Sequence, residues 1–227
     1  MEIHCPLNIF DGLKREFHKR GRGGWMSAEK LKKLYKKMDA TSKTRFHYSR
    51  RMKLHSSWST WIVVYISLVL ILISLLQAYS LGRNIESPYV QLIQVFSSIA
   101  VLVYSLIINK ADYSSLSEKM YSCASRINKL KLKADPAVAA GDMTAYESLC
   151  AEYQGILDLY ETASIQDFRA DYWRAKMEMP EDYILDKGQV WLMRFKISFL
   201  YSVNFIEYPL VVFSYALAIY WLVVGGI

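Results

Sequence analysis

Two uninterrupted apolar runs constrain this chain more than any other part of its sequence. They extend from Trp61 to Leu81 and from Tyr89 to Asn109, contain no charged residue, and are separated by the short loop 82–88. About 21 residues at about 1.5 Å each are enough to cross a hydrocarbon core of about 30 Å. The loop is so short that we expect an antiparallel transmembrane hairpin, residues 59–110. The alternative is two fully buried helices in a soluble domain, which a chain of 227 residues could hardly enclose.

The charges around these runs predict their orientation. The net charge is +7, and the basic excess lies almost wholly in residues 1–58. Arg50, Arg51 and Lys53 precede the first run and Lys110 follows the second, whereas the loop carries one arginine and one glutamate. Because Lys and Arg are retained on the cytoplasmic side, we expect a cytoplasmic N-terminus and an outer loop.

Residues 1–58 are predicted to form basic cytoplasmic helices. Gly21-Arg22-Gly23-Gly24 is interpreted as a linker, and Ser27 as the N-cap of a helix with Leu31, Leu34, Tyr35 and Met38 on one face. We expect the basic residues to contact anionic lipid. An acidic protein partner is the second hypothesis, and RNA or DNA the third, although no specific nucleic-acid motif is present. The candidate contact residues are Lys33, Lys36, Lys37, Arg50, Arg51 and Lys53.

The second apolar run carries a stripe of polar residues. At 100° per residue its members fall within about 60° of one another. Such a stripe should face a neighbouring helix or water rather than lipid. One hypothesis is hydrogen bonding between helices in a tight bundle. The other is the lining of a conduit built from several copies, since three spans cannot enclose a channel alone. The candidates are Gln91, Gln94, Ser98, Ser105 and Asn109.

Residues 111–186 are predicted to form an antiparallel helical hairpin in the cytoplasm. A heptad seam continues directly from the second run, so we expect one helix to about Lys133, broken by Asp135-Pro136. A returning helix is expected from Asp142. Its tyrosines recur every seven residues, which is more typical of a core than of a ligand platform. The seam residues are Tyr113, Leu116, Met120, Cys123, Ile127 and Leu130, and the tyrosines are Tyr146, Tyr153 and Tyr160.

Residues 187–227 are predicted to form an amphipathic helix that runs into a third span and ends outside. The last helix is expected to begin near Asp186 and to continue to the C-terminus. Glu207 lies either at the cytoplasmic interface beside Pro209 or at mid-membrane, and Trp221 near the outer interface favours the first placement. Residues 187–206 are then predicted to form an aromatic-rich cytoplasmic extension that packs on the hairpin. Glu207, Pro209 and Asn204 are candidates for gating or interface contacts.

The fold class expected is therefore an all-α membrane protein: a two-span hairpin, a C-terminal third span and a cytoplasmic antiparallel helical hairpin. No catalytic or phosphate-binding motif occurs, and the four histidines lack metal-ligand spacing. We therefore expect neither an enzyme nor a cofactor or metal site. The three cysteines, Cys5, Cys123 and Cys150, indicate a reduced, cytoplasmic setting.

This layout resembles the SLATT family of bacterial membrane effectors over residues 28–227. The resemblance is carried by Arg50-Arg51-Met52-Lys53-Leu54-His55 before the hairpin and by Tyr121-Ser122-Cys123-Ala124-Ser125-Arg126-Ile127 after it. The third span resembles the branch found beside reverse transcriptases. The resemblance implies an antiphage effector that oligomerises and permeabilises the inner membrane, as in abortive infection. A separate sensor protein or reverse transcriptase would trigger it. The alternative is a non-conducting anchor or assembly subunit that recruits such an enzyme.

Overall fold

A computed structural model describes residues 23–140, 144–160, 168–180, 183 and 186–225. The expected fold class is confirmed, because all regular structure in these ranges is helical and no strand occurs in them. The predicted N-cap Asp142, Cys5 and the linker residues Gly21 and Arg22 lie outside the described residues. The helices are α1 Gly23–Ala78, α2 Pro88–Ala111, α3 Tyr113–Ala140, α4 Thr144–Leu159, α5 Arg169–Met177, α6 Lys187–Phe205 and α7 Glu207–Val224.

Helix α1 joins the basic segment to the first apolar run without interruption, over 56 residues. The predicted N-cap at Ser27 is wrong, because the helix already begins at Gly23. Gly23 and Gly24 are therefore helical rather than part of a linker. Glycine costs a helix about 1 kcal/mol relative to alanine because its unfolded backbone has more freedom, and this cost does not prevent the helix from beginning at Gly23.

The expected continuous helix from the second apolar run into the heptad seam is interrupted at Asp112. This residue is left-handed, with φ 42° and ψ 48°, and it separates α2 from α3. Its N–H donates to Ile108 O at 3.2 Å, and the Ser115 N–H donates to its Oδ1 at 3.3 Å. Aspartate tolerates this conformation better than most residues because its short carboxylate can cap the next helix.

Helix α3 does not end at Asp135-Pro136 as predicted, but continues to Ala140 with Pro136 inside it. Proline removes one helical hydrogen bond and crowds the carbonyl four residues earlier. Asp135 and Pro136 are both exposed on α3. The carbonyl that loses its partner can therefore be hydrated, which lowers the cost of continuing the helix.

The predicted single C-terminal helix is two helices, α6 and α7, separated at Ile206. Pro209 is the third residue of α7, where it needs no helical acceptor for a missing N–H. Within the part of the chain that the structure describes, three helices contain segments long and apolar enough to span a membrane, and the third of them is Glu207–Val224. Glu207 is thus the first residue of the third candidate span.

The chain divides into two compact units. Unit 1 comprises Met1–Ser49 and Glu118–Ile197, and unit 2 comprises Arg50–Ser117 and Ser198–Ile227. The core of unit 1 joins three helices, α1, α3 and α4. The predicted seam supplies its α3 side, and the apolar face of the basic helix its α1 side. The core residues are Leu31, Leu34, Met38, Cys123, Ile127, Leu130, Ala134, Leu149, Cys150 and Tyr153.

The tyrosines of α4 take part in this core, which agrees with the structural interpretation of their spacing. Tyr153 is 1% exposed, and its hydroxyl lies 2.9 Å from Thr41 Oγ1. The Tyr160 hydroxyl lies 3.0 Å from Ser122 Oγ. These hydrogen bonds connect α4 to α1, and the residue that follows α4 to α3, so the tyrosine rings help to set the packing of unit 1.

Unit 2 is a bundle in which α7 packs on the predicted hairpin. Val69 and Ile73 of α1, Val90 of α2 and Leu222 of α7 share one buried cluster with Ile85 of the loop. The Asn84 N–H donates to Leu222 O at 3.3 Å, and its Nδ2 donates to Trp221 O at 3.2 Å. The C-terminal end of α7 therefore lies on the loop side of this bundle.

Gly82 is required where the loop passes the end of α7. Its φ is +126°, and an added Cβ would lie 2.8 Å from Leu222 O. We expect Gly82→Ala to cost about 1–3 kcal/mol through backbone strain and loss of this close approach. Thermal unfolding of the full chain in detergent, followed by circular dichroism, measures the effect.

Gly155→Ala is the matched control. Nothing lies within 4 Å of a Cβ at Gly155, an exposed position inside α4. Alanine there should stabilise the helix by up to about 1 kcal/mol. An equal loss of stability in both variants would contradict the role assigned to Gly82.

Candidate conduit face and membrane entry

Helix α2 is barely covered by the rest of the chain. Only Val90 and Ser97 are buried among its 24 residues. Its large apolar side chains are mostly exposed, which suits contact with lipid or with neighbouring chains rather than with water. The exposed large residues are Tyr89, Leu92, Val95, Phe96, Ile99, Leu102, Val103, Leu106 and Ile107.

The predicted polar stripe divides into an exposed set and a half-buried set. Gln91, Ser98 and Asn109 are exposed, whereas Gln94 and Ser105 are half-buried. The Ser98 hydroxyl donates to Gln94 O at 2.8 Å, and the Ser105 hydroxyl donates to Val101 O at 2.7 Å. Serine can thus satisfy its donor within its own helix. The larger amides of Gln91 and Asn109 are the most polar exposed groups of the stripe.

Gln94 takes part in a hydrogen-bonded contact between α2 and α1. Its Nε2 donates to Gln77 Oε1 at 2.9 Å and lies 3.4 Å from Ser74 Oγ. This is the interhelical bonding that the sequence offered as one explanation of the stripe. The structure therefore pairs Gln94 inside the hairpin and leaves Gln91, Ser98 and Asn109 outside it.

A cluster around the buried side chains of His55 and Tyr208 marks the place in α1 where the first apolar run begins. His55 Nδ1 lies 3.0 Å from the Tyr208 hydroxyl, and Phe205 stacks on the imidazole at 4.1 Å and 12°. Tyr113 packs 5.6 Å from the imidazole, and the Trp58 ring lies 6.2 Å from Tyr208. We call these five residues the entry cluster. It holds the α6–α7 junction beside the start of the hairpin.

The residues that the sequence predicted for gating or interface contacts are each next to a residue of the entry cluster but are not in it. Glu207, Pro209 and Asn204 are all exposed, whereas Tyr208 between them is 3% exposed. The available signal was spacing: His55 and Trp58, like Phe205 and Tyr208, lie three residues apart and so share a helix face. That spacing indicates two aromatic faces, but it does not say that they meet.

The basic residues that were predicted to contact lipid or a partner differ in how exposed their side chains are. Lys33, Arg50 and Lys53 are exposed, Lys36 and Lys37 are half-buried, and Arg51 is buried. The Lys37 ammonium lies 5.5 Å from the centre of the Tyr153 ring, so this cation also stabilises unit 1. Lys33 pairs with Glu29 at 2.8 Å on the exposed surface. Lys33, Arg50 and Lys53 are therefore the members best exposed for lipid or partner contact.

Asp39 is a nearly buried carboxylate held by two lysines in unit 1. Lys131 Nζ lies 2.6 Å from Oδ1, and Lys43 Nζ lies 2.9 Å from Oδ2. Burial by itself raises the pKa of this carboxyl, but the hydrogen bonds and positive charges of the two lysines outweigh it. The net effect holds the pKa of Asp39 below its ordinary value. The ion triad therefore connects α1 to α3 in the charged form.

Because its pKa is lowered on folding, Asp39 should stabilise unit 1 above its unfolded pKa of about 4. This contribution is lost as the pH falls through the lower pKa of the folded state. Asp39→Asn should cost about 1–3 kcal/mol at pH 7 and weaken the acid dependence. Urea unfolding at pH 7 and pH 3 measures both effects.

Glu152→Gln is the control for this triad. Glu152 pairs with Lys133 at 2.9 Å, but both side chains are about half exposed or more, so the pair should contribute less than about 1 kcal/mol. If Asp39→Asn unfolds at the same urea concentration as the parent at pH 7, the triad does not support the fold.

Cys123 is buried in the core of unit 1, next to a cation. Burial raises the pKa of the Cys123 thiol, although Arg45 Nη1 donates to Sγ at 2.9 Å and opposes the rise. A buried, protonated thiol is a poor nucleophile and a poor metal ligand. Neither Cys123 nor Cys150 forms a disulfide bond. In the ranges that the structure covers, no group of three or more potential ligands could hold a metal.

Comparison with known proteins identifies the family. No curated protein matches the chain, and no solved structure does. A family model described as SMODS and SLOG-associating 2TM effector domain family 5, a SLATT family, matches residues 27–222. The matched region contains both helices of the hairpin, all of unit 1 from residue 27 onward, and most of α7. The resemblance to SLATT proteins is thus confirmed, and the protein is a membrane protein that belongs to this family of 2TM effector domains.

Proposed function

We propose that the protein is a homo-oligomeric inner-membrane effector of antiphage defence that permeabilises the membrane when a separate partner triggers it. The N-terminus lies in the cytoplasm and the C-terminus outside. The family's description as an effector domain supports the general role. The trigger is a sensor protein or a reverse transcriptase that acts on the cytoplasmic helices.

The observation that carries the conduit is the exposure of Gln91, Ser98 and Asn109 on a transmembrane helix that its own chain hardly covers. An amide in hydrocarbon without a hydrogen-bond partner costs about 2–7 kcal/mol. Gln91 and Asn109 lie near the two ends of the run 89–109, where this cost is lower, but a polar face along the whole helix still favours water or another helix over lipid. Several copies that turn this face toward a shared axis would give both amides water or a neighbour.

The rest of α2 fits the same arrangement. In an assembly around the exposed polar face, its apolar residues would meet lipid and adjacent spans, both of which accept them. Gln94 would stay bound to Gln77 and would hold α2 against α1. Each subunit would thus contribute one hydrogen-bonded hairpin and one polar face, and α7 would pack behind the hairpin.

The direct test is conduction by the full chain. Cells that carry the protein with its genetic neighbours should lose membrane potential when infected, as reported by a potential-sensitive dye. The purified chain should form a defined oligomer by native mass spectrometry and pass small ions in liposomes. Retention of potential in infected cells, with a monomer that passes no ions in liposomes, would favour the non-conducting anchor.

A further inference from the structure

The α1 part of unit 1 carries a basic face outside the core. Lys32, Tyr35, Lys36 and Lys43 lie within about 100° of one another on a helix with 100° per residue. Lys32 is exposed and the other three are half-buried. Lys43 is paired with Asp39, but three lysines against this one carboxylate leave the face positive. We call these four residues the α1 basic face.

The outer side of α4, in the same unit, is acidic and carries small residues. The helix contains three carboxylates and no lysine, arginine or histidine. Glu147, Ala151, Gly155 and Asp158 lie within about 80° of one another, and all four are exposed. We call these four residues the α4 acidic face. The small residues at its centre allow another helix to approach closely, because side-chain size sets the distance between packed helices.

The two faces point away from each other. Helices α1 and α4 meet through Thr41 and Tyr153, whose hydroxyl oxygens lie 2.9 Å apart. At 100° per residue, Thr41 lies at least about 120° around α1 from every residue of the α1 basic face. Tyr153 lies at least about 120° around α4 from every residue of the α4 acidic face. One chain therefore cannot bring its two faces together, whereas two copies can.

The two faces also match in direction and level. Contacts with α3 show that residue numbers rise along α1 and along α4 while they fall along α3, so α1 and α4 are parallel. These contacts are Asp39–Lys131, Ser42–Ala124, Glu152–Lys133 and Tyr160–Ser122. They place Glu147 at about the level of Lys32, and Asp158 at about the level of Lys43. Both pairs on one helix are eleven positions apart, which is about 16 Å.

We propose that neighbouring copies of the chain join through these surfaces, with the α4 acidic face of one copy on the α1 basic face of the next. Glu147 of one copy then meets Lys32 of the next, and Asp158 meets Lys43. Because the two faces differ, the contact is heterologous and repeats from copy to copy, which gives a ring where the rotation closes. This contact rests on the homo-oligomer of the proposed function, but it does not require that the oligomer conducts.

The charges set which faces meet rather than how tightly they bind. Exposed ion pairs contribute little by themselves, but opposite charges select orientation and register and exclude contacts between like charges. Spans in the same bilayer hold the copies at a high local concentration, so a weak contact between their units 1 is sufficient. A second copy is the occupant that the structure favours, because its carboxylates have the spacing of the lysines.

The test is thiol cross-linking between two differently tagged forms of the full chain in liposomes. Both forms carry Cys5→Ser, which leaves only the two buried native thiols. One form carries Lys32→Cys and the other Glu147→Cys, and bismaleimidoethane is the cross-linker. We expect the mixture to give at least fivefold more cross-linked dimer than either form alone, because in a heterologous contact neither face meets itself.

Lys33→Cys mixed with Glu147→Cys is the matched control. Lys33 is exposed, but it points about 100° away from Lys32 on the same helix. Cross-linking of this mixture should stay at the level of the single forms.

Charge reversal provides a second measurement on exposed or half-buried positions outside the core. Glu147→Lys with Asp158→Lys makes both faces basic, and Lys32→Glu with Lys36→Glu makes both acidic. Each double variant should associate with itself at least fivefold more weakly than the parent, as measured by energy transfer between labelled copies. An equal mixture of the two double variants should recover association, because each basic α4 then meets an acidic α1.

Two results would overturn the proposed contact. If Lys33→Cys cross-links as well as Lys32→Cys while native mass spectrometry shows an intact oligomer, the copies meet through other surfaces and the α1 basic face is open to lipid or an acidic partner. The proposed function would stand in that case. If the parent chain is monomeric under the same conditions, both this contact and the proposed assembly are wrong.

Discussion

Leucine at both Gln91 and Asn109 is expected to reduce ion flux through the assembled protein by about tenfold or more. These two amides are exposed on α2, and in the proposed assembly they provide hydrogen-bonding groups at two levels of the conduit. Removal of one hydrogen bond to a passing hydrated ion costs about 1 kcal/mol, and 1.4 kcal/mol corresponds to a tenfold change. Flux is measured in liposomes at equal protein content, and assembly is checked by native mass spectrometry.

The matched control likewise replaces two amide side chains by leucine. Gln77→Leu with Gln94→Leu removes the hydrogen-bonded pair inside the hairpin and leaves the exposed polar residues in place. Flux per assembled oligomer should stay within about twofold of the parent, because interhelical pairs of this kind contribute only about 0.6 kcal/mol on average. Full flux in the Gln91 and Asn109 variant, with an intact oligomer, would show that these residues do not line the path.

Alanine at Ile127 is expected to produce the largest loss of stability in unit 1. The Ile127 side chain is 0% exposed and lies in the core between α1, α3 and α4. Deletion of its buried carbons leaves a cavity in a close-packed core, which costs about 2–5 kcal/mol. Urea unfolding in detergent measures this loss. The spans inside the micelle keep their backbone hydrogen bonds and resist urea, so the measured transition reports on unit 1.

Leu132→Ala is the control for Ile127→Ala on the same helix. Leu132 is 63% exposed, so the change removes an aliphatic side chain of the same size from the surface. The effect on unfolding should be within about 0.5 kcal/mol. If the two variants unfold at the same urea concentration, the three-helix core of unit 1 is not the part that limits its stability.

The local pattern of the sequence was sufficient for the principal features of the fold. The two apolar runs and the third apolar segment appear as candidate spans because length and composition decide whether a helix can cross a bilayer. The heptad seam from Met120 to Leu130 is buried because apolar residues at that spacing share one face of a helix. The SLATT resemblance, drawn from layout, agrees with the family match.

Helix ends were less predictable, because several residue types compete there. Pro136 remains inside α3, Gly23 and Gly24 remain inside α1, and the break after the second run falls at Asp112. In each case the deciding factor is whether a backbone group can find another partner, such as water or the Asp112 carboxylate. Helix propensities and the rules for proline describe how unfavourable a residue is inside a helix, but they do not consider whether its backbone groups find another hydrogen-bond partner.

By itself, the sequence determined how many helices can enter the membrane, which faces are apolar, and the family. These properties depend on residues a few positions apart, which helical geometry brings together in any fold. Only the tertiary structure decided which polar and aromatic faces meet. It paired Gln94 with Gln77, joined His55 to Tyr208 and Phe205, and left Gln91 and Asn109 exposed. Such contacts join residues as many as 153 positions apart, and packing geometry selects them.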